Sequence, residues 1–209
     1  MALKPIYDLA KIKRVIVSTY QAVSGAGKEG IDELDAQVRE HSEGREMTAN
    51  ILPSSSAEKH YPIAFNLIPQ IDVFCDNLYT KEEMKMVNET KKIMEDYEMR
   101  ITATTIRVPV YRSHSESVNI ELEKEVDLGA MREALAKFPG VTVQDDPSKQ
   151  EYPMPLYTSE KDDVYVGRLR RDESCEKSYN MWVVGDQIRK GAALNTLQIA
   201  ETMIKNGWI

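Results

Sequence analysis

Arg107-Val-Pro-Val-Tyr-Arg-Ser-His114 is the stretch on which the interpretation of this sequence depends. Its first four residues are the end of residues 101–110, a run rich in β-branched side chains that predicts a strand. Pro109 cannot donate a hydrogen bond to a neighbouring strand, so this strand is expected to lie at a sheet edge or to end near the proline. Arg107 offers a forked donor for a carboxylate or phosphate, and His114 offers proton transfer near neutral pH. The pair predicts a candidate active site; two ordinary structural residues are the alternative.

The composition bounds the classes of protein to which the chain can belong. Its 209 residues suffice for one large domain, or one and a half ordinary ones, with a sizeable core. The net charge of −7 argues against nonspecific nucleic-acid binding, although a local anion pocket remains compatible with it. No apolar run approaches the length of a membrane span, and the N-terminus does not have the features of a signal peptide. We therefore predict a globular protein without membrane or nucleic-acid partners.

Cysteine and histidine usage indicates the compartment and argues against a metal site. Cys75 and Cys175 do not make a disulfide framework, and a cytoplasmic location fits them best. The three histidines stand in unrelated contexts, and neither a Cys-x-x-Cys nor a His-Glu-x-x-His motif is present. No bound metal is expected.

A small-residue turn follows the first predicted strand. Residues 14–20 predict that strand, residues 21–27 the turn, and residues 28–41 a helix. The glycines of the turn permit a ligand to approach the backbone closely. A phosphate-binding P-loop is excluded, because Ala22 and Glu29 occupy the positions that decide that motif. A ligand-binding turn and a tight loop without a ligand both remain open.

The remaining elements predict a mixed sheet. Thr80 and Glu83 form a capping box at the start of a helix on which Glu89 and Lys92, three residues apart, make a typical surface pair. Residues 42–60 are expected to form a loop, and the apolar residues 61–69 are expected to be buried. Further strands are predicted at residues 117–126, 141–143, 164–170 and 180–184, and further helices at residues 2–12, 127–138 and 188–205. Helices covering one side of a sheet are the architecture that this order favours.

Four motifs in series point to one family. They are Thr19-Tyr-Gln-Ala-Val-Ser-Gly-Ala-Gly27, Asn88-Glu-Thr-Lys-Lys92, Arg107-Val-Pro-Val-Tyr-Arg-Ser-His-Ser-Glu116 and Val183-Val-Gly-Asp-Gln-Ile-Arg-Lys-Gly-Ala-Ala193. In this order they resemble aspartate-semialdehyde dehydrogenase of the bacterial type, over nearly the whole chain. The resemblance implies an α+β fold, with a mixed, largely antiparallel sheet covered by helices on one face, like the C-terminal domain of glyceraldehyde-3-phosphate dehydrogenase.

The resemblance also implies an activity. Members of the family use NADPH to reduce aspartyl phosphate to aspartate semialdehyde through a thioacyl enzyme, releasing phosphate. The reaction belongs to the biosynthesis of lysine, threonine, methionine and diaminopimelate. We accordingly expect a homodimeric oxidoreductase of amino-acid biosynthesis with NADP as cofactor.

The resemblance further implies which part of such an enzyme this chain represents. Residues 1–12 correspond to the tail of the helix that follows the family's catalytic cysteine, and residues 13–186 to the substrate-binding and dimerisation domain. Residues 187–209 correspond to a C-terminal helix that would pack back on the N-terminal Rossmann domain, which is expected to be missing. Neither Cys75 nor Cys175 matches the nucleophile motif. The chain alone is therefore expected to be inactive.

The family's substrate residues map onto five positions of this sequence. His114 matches the acid/base histidine, and Gln21 matches the glutamine that orients the substrate and its thioacyl intermediate. Arg107 matches the arginine that holds the substrate carboxylate. Glu89 matches the carboxylate that binds the substrate amine, and Lys92 matches the phosphate-binding lysine. These residue types suit an anionic acyl phosphate, whose charge needs cations.

Three further positions match the family's contacts with the cofactor. Ser24 and Gly25 correspond to the turn that touches the nicotinamide end of NADP. Gln187 corresponds to the side chain that meets the nicotinamide amide. No metal ligand is implied.

Two other classes of function stay open at this level. The chain could be a non-catalytic, self-associating interaction module that uses its sheet to form dimers. It could instead be a hydrolase in which Cys75 or Cys175 acts with His114, an arrangement that needs a thiol of lowered pKa. Related acyl-phosphate reductases, such as the acetylglutamyl phosphate enzyme, share the fold and chemistry, but their motifs fit less well.

Overall fold

The computed structural model describes residues 1–209 and has a single six-stranded sheet at its centre. The strands are β1 Ile12–Gln21, β2 Arg100–Arg107, β3 His114–Leu122, β4 Val141–Val143, β5 Val164–Arg171 and β6 Ser178–Gly185. The helices are α1 Leu3–Leu9, α2 Gly27–Ser42, α3 Lys81–Met94, α4 Leu128–Lys137, α5 Pro155–Thr158 and α6 Leu194–Lys205. No helix combines the length and apolarity needed to cross a bilayer.

The strands lie in the order β2-β1-β3-β6-β5-β4. β1 and β2 are parallel, as are β4 and β5, whereas the three central pairings are antiparallel. The sheet is thus mixed and largely antiparallel, which confirms the expected α+β class. β2 forms one edge and ends at Arg107, two residues before Pro109, as the missing N–H of that proline predicted.

One face of the sheet carries the main core. Alternate residues of the strands point to this face, where α1, α3 and α4 pack against the sheet. Members from the strands and helices include Ile6, Val15, Val17, Ala103, Val118, Ile120, Met131, Leu135 and Met181. The capping box predicted at Thr80 and Glu83 is present at the start of α3, and Asp127 caps α4 by accepting from Ala130. Local capping therefore fixes where the covering helices begin.

A long segment without regular structure, residues 43–80, is anchored on α2. The Glu33 carboxylate accepts the backbone N–H groups of residues 50–52, and Gln37 binds residues 48, 63 and 64. A small second core forms between them from Val23, Leu34, Leu52, Ile63, Ala64 and Ile68. The expectation that residues 61–69 are buried is only partly right, because Tyr61, Phe65 and Leu67 are exposed. The anchoring of this segment brings its backbone against the end of β2.

The ends of several elements differ from the predicted ones. α1 stops at Leu9, and β3 begins three residues earlier than predicted, at His114. The last helix does not run from residue 188, because Arg189–Ala193 is kinked: Lys190, Gly191 and Ala192 have non-helical backbone angles. Gly191 has φ 144°, a conformation that a glycine adopts without strain. α6 begins only after this kink.

Candidate functional site

Three of the predicted residues meet at one end of the covered face. Gln21 and Arg107 are paired at the last positions of the parallel strands β1 and β2. His114 begins β3, opposite Gly185 of β6, and points to the same face as Gln21. The polar end of the covered face is therefore made where three strand ends converge, next to the turn that follows β1.

The Arg107 guanidinium is buried without an acidic partner. The residue is 3% exposed, and its Nη1 donates to the carbonyl of Ala22 at 2.7 Å. Nε and Nη2 donate to the carbonyl of Pro53 at 3.4 and 3.3 Å. These contacts use three of the five N–H groups of a guanidinium, and no carboxylate lies within ion-pair distance. Burial lowers the pKa of Arg107 to about 10, partly countered by the charge of Glu82. Arg107 remains a cation with two free donors.

His114 is held as a neutral imidazole. Its Nδ1 accepts the backbone N–H of Ala22 at 3.1 Å, so the neutral ring carries its proton on Nε2. Burial above all, together with the charges of Arg107 and Lys85, lowers the pKa of His114 to about 3, and the charge of Asp186 partly opposes this shift. The ring can therefore exchange a proton only through Nε2, the nitrogen that does not contact Ala22.

Gly25 is needed where it lies because Arg107 and His114 approach it closely. A Cβ at this position would come within 2.7 Å of Nη1 of Arg107 and 3.6 Å of Nε2 of His114. No side chain fits there without moving the guanidinium. The predicted turn residue thus packs directly against the predicted substrate residues.

α3 contributes two side chains that the sequence did not single out. Gln21 donates from Nε2 to Oε1 of Glu82 at 3.1 Å, and Oε1 of Gln21 is buried without a partner. Lys85 lies 3.5 Å from Glu82, and its charge is close enough to lower the pKa of His114. Glu82 and Lys85 therefore border the cluster of Gln21, Arg107 and His114.

The structure does not bring Glu89 and Lys92, the positions predicted on α3, to this cluster. Both are exposed, and they lie seven residues beyond Glu82 and Lys85, about 10 Å further along the helix. Seven residues are almost two complete turns, so the pairs share one side of α3 at different heights. Glu-x-x-Lys occurs twice in this helix, which is the signal that could have found the nearer pair.

The three predicted cofactor residues also come together. Gln187 donates from Nε2 to the hydroxyl of Ser24 at 2.7 Å, and Ser24 directly precedes Gly25. The carbonyl oxygen Oε1 of Gln187 is buried and has no hydrogen-bond partner. An unpaired buried acceptor costs free energy, and an incoming N–H donor would relieve that cost. This side of the turn fits a ligand that carries an amide.

Gly25-Ala-Gly-Lys-Glu-Gly30 has the glycine spacing of a dinucleotide-binding turn. In that turn the first glycine follows its strand directly. Here β1 ends at Gln21, and a 3₁₀ turn at Val23–Ala26 separates it from α2. The glycine spacing therefore does not indicate a dinucleotide-binding turn here.

Neither cysteine side chain is hydrogen-bonded to the cluster. Cys175 is exposed in the turn before β6, and seven strand positions, roughly 24 Å, separate Ser178 from the Gly185 partner of His114. Cys75 is half-buried in residues 69–80 and makes no hydrogen bond to His114. These positions argue against a Cys–His hydrolase. No group of three or more His, Cys, Asp or Glu side chains is placed to hold a metal ion.

The sequence is similar to curated dehydrogenases. It is 52% identical over 209 residues to aspartate-semialdehyde dehydrogenase of Aquifex aeolicus, covering 100% of this chain and 60% of that protein. It is 49% identical over 205 residues to the Bacillus subtilis enzyme of the same name, covering 98% of this chain and 59% of the relative. The chain thus spans about 60% of the length of these curated relatives.

Solved structures and a family model agree with this similarity. Aspartate semialdehyde dehydrogenase II of Vibrio cholerae, solved in complex with ASA, matches with a TM-score of 0.90 and 44% identity over 98% of this chain and 58% of that one. The enzyme of Candida albicans, solved with NADP, shares the fold with a TM-score of 0.69 and 23% identity, over 100% of this chain and 55% of that one. The family described as "Semialdehyde dehydrogenase, dimerisation domain" matches residues 3–190. The chain belongs to the semialdehyde dehydrogenase dimerisation-domain family.

Proposed function

We propose that this chain is the substrate-binding and dimerisation part of an NADP-dependent aspartate-semialdehyde dehydrogenase. The whole enzyme would reduce aspartyl phosphate to aspartate semialdehyde, via a thioacyl enzyme, in the cytoplasmic biosynthesis of lysine, threonine, methionine and diaminopimelate. One observation carries the proposal: the buried Arg107 guanidinium has two free donors, no acidic partner and a neutral imidazole beside it. A buried cation of this kind favours an anionic ligand.

The proposed roles follow the position of each side chain. Arg107 would hold the substrate carboxylate, and Gln21 would orient the acyl group through the second N–H of its Nε2, since the first donates to Glu82. His114 would move a proton at Nε2. Glu82 and Lys85, which border the cluster, would bind the substrate amine and the phosphate in place of the predicted Glu89 and Lys92. Neither cysteine of this chain is assigned as the nucleophile.

The nicotinamide end of NADP would lie at Ser24, Gly25 and Gln187. The free Oε1 of Gln187 would accept an N–H of the carboxamide. When bound, the cofactor supplies or accepts the hydride. The rest of the nucleotide would be held by a separate N-terminal nucleotide-binding domain, and we therefore propose that the 209 residues have no dehydrogenase turnover on their own.

A complementation assay tests the whole proposal. This chain is mixed with the separately expressed nucleotide-binding domain of the Aquifex aeolicus relative, and NADPH formation from aspartate semialdehyde and phosphate is followed. Activity is expected only in the mixture and is expected to disappear with His114→Ala. The matched control is His41→Ala, which removes a histidine that packs against Phe65 on the exposed side of α2. Turnover by the purified chain alone would contradict the proposal.

A binding assay tests the anion site without needing catalysis. L-Aspartate is titrated into the chain by calorimetry, and unfolding is followed in parallel, since a ligand at about 100 times its Kd stabilises by about 2.7 kcal/mol. We expect Arg107→Met to abolish this response. Arg39→Met, which removes an exposed arginine that donates to its own helix, is expected to leave it intact. Equal binding by all three proteins would favour a non-catalytic interaction module instead.

We also propose that the chain forms a homodimer through the second face of the sheet. The rings of Tyr20 and Trp182 lie 5.5 Å apart there, and both residues are only partly buried. Aromatic residues are enriched at such interfaces. Sedimentation of the chain should give twice its mass of 23.8 kDa, and Trp182→Arg should shift it to the monomer. A monomeric parent protein would refute this proposal.

A further inference from the structure

Asp186 joins three segments of the chain directly after β6. The residue is 0% exposed, and its Oδ2 accepts the backbone N–H of Glu160 at 2.7 Å. Nη2 of Arg112 lies 2.8 Å from the same oxygen, while Oδ1 accepts the N–H of Ile188 at 3.0 Å. A buried carboxylate is stable only when its charge and its lone pairs are satisfied in this way. Asp186 thus fixes the segment that carries Gln187.

Arg112 holds the other side of the same junction. It lies two residues before His114, and Ser113 between them is fully buried with φ 69°, a conformation that non-glycine residues seldom adopt. The Ser113 hydroxyl is 3.3 Å from that of Ser159, and Arg112 also donates to Glu160. The packing around this turn therefore sets the direction in which His114 leaves it.

The two segments contact the same turn at two different residues. His114 accepts the N–H of Ala22 through Nδ1, and Gln187 donates to the hydroxyl of Ser24. His114 follows Arg112 by two positions, and Gln187 follows Asp186 by one, so each contact is made by a residue next to one member of the ion pair. Together with the pairing of His114 with Gly185, the ion pair therefore links the two contacts without passing through the turn itself.

We propose that Asp186, paired with Arg112, is a positioning residue that fixes the His114 ring and the Gln187 amide against the turn at residues 22–25. Asp186 does not touch the proposed ligands and acts through its neighbours. The importance of His114 and Gln187 rests on the proposed function, whereas the positioning itself is a property of this chain and can be measured on it alone.

The test uses NMR of the 209-residue chain and its Asp186→Asn variant. The variant keeps the shape of residue 186 but removes the charge that faces Arg112. We expect the Ala22 amide to exchange with solvent about tenfold faster, as the loss of one hydrogen bond implies, and the His114 ring nitrogens to shift toward a mixture of tautomers. The control is Asp162→Asn, which removes the exposed pair with Arg189 in a neighbouring segment and should leave both signals unchanged.

A second variant covers the case in which Asp186→Asn does not fold. Arg112→Lys keeps a cation opposite Asp186 but loses the planar fork that also reaches Glu160. It should change the Ala22 and His114 signals in the same direction by a smaller amount. Unchanged signals in a folded Asp186→Asn or Arg112→Lys protein would overturn the proposal. If the signals respond but L-aspartate does not bind, the proposed function fails and the positioning role stands.

Discussion

Two arginines five residues apart in one segment have opposite electrostatic surroundings. Arg107, at the end of β2, is surrounded by the carbonyls of Ala22 and Pro53 and has no acidic partner. Arg112, in the turn before β3, pairs with the buried Asp186 and with Glu160. Both arginines lie close to His114 in sequence, and residue type alone does not distinguish them, although the family resemblance singles out Arg107.

The difference separates a residue available for binding from one that supports the structure. Carbonyl groups satisfy the donors of a guanidinium but do not cancel its charge, so Arg107 still attracts an anion. The charge of Arg112 is already compensated within the chain. The absence of an acidic partner, more than burial itself, is therefore what supports the proposal that Arg107 binds an anionic ligand.

The largest expected effect on stability comes from replacing each arginine, in separate variants, by methionine. Arg112→Met leaves Asp186 buried and unpaired, and we expect the free energy of unfolding to fall by about 3–5 kcal/mol. Arg107→Met leaves no charge unpaired and removes only hydrogen bonds to carbonyls, so a loss of about 1–2 kcal/mol is expected. Urea unfolding at pH 7 measures both. Comparable losses of unfolding free energy in the two variants would show that the presence or absence of an acidic partner makes no difference to what each arginine contributes to stability.

The neutral His114 predicts a pH dependence of stability. Its pKa is about 3 in the folded chain and about 6.5 when unfolded, so the unfolded state binds the extra proton as the pH falls below 6.5. Stability should therefore decrease by about 1.4 kcal/mol per pH unit below that value, or about 2 kcal/mol by pH 5. Arg107 and Lys85 oppose the imidazolium, and Asp186 favours it.

His114→Asn isolates this contribution from those of other titrating groups. The advantage of the parent protein over the variant should shrink between pH 7 and pH 5, because only the parent carries the histidine. Urea unfolding at three pH values gives the two slopes. Parallel slopes would mean that His114 binds a proton equally well in both states.

Local signals were enough to predict much of the fold. β-branched runs predicted the strands. Asp127 predicted the start of α4, and the Thr80–Glu83 capping box predicted the start of α3. Each of these features depends on residues close in sequence. The partners of the two arginines could not be predicted. Pro53 lies 54 residues from Arg107, and Asp186 lies 74 residues beyond Arg112, so only the folded chain brings them together.

A smaller effect should arise at Gly25, which contacts Arg107. Gly25→Ala would place a Cβ 2.7 Å from Nη1 of Arg107, and the resulting overpacking should destabilise by about 1–2 kcal/mol and weaken L-aspartate binding. In an Arg107→Met background the same change should cost little, because the clash is with the guanidinium. A double-mutant cycle by urea unfolding measures this coupling. Additive losses would place the cause elsewhere in the turn.

The smallest effect is expected at the end of α3 that lies away from the site, where the sequence offered a choice between two Glu-x-x-Lys pairs of the same helical phase. Periodicity fixes the side of a helix but not the height along it, so Glu82 and Glu89 were equivalent until the fold placed Gln21 beside one of them. Glu82→Gln should weaken L-aspartate binding about fivefold, or about 1 kcal/mol. Glu89→Gln, the matched control on the same helix, should change neither binding nor stability by more than about 0.5 kcal/mol. A larger effect of Glu89→Gln than of Glu82→Gln on the calorimetric Kd would place the substrate site at Glu89 and Lys92.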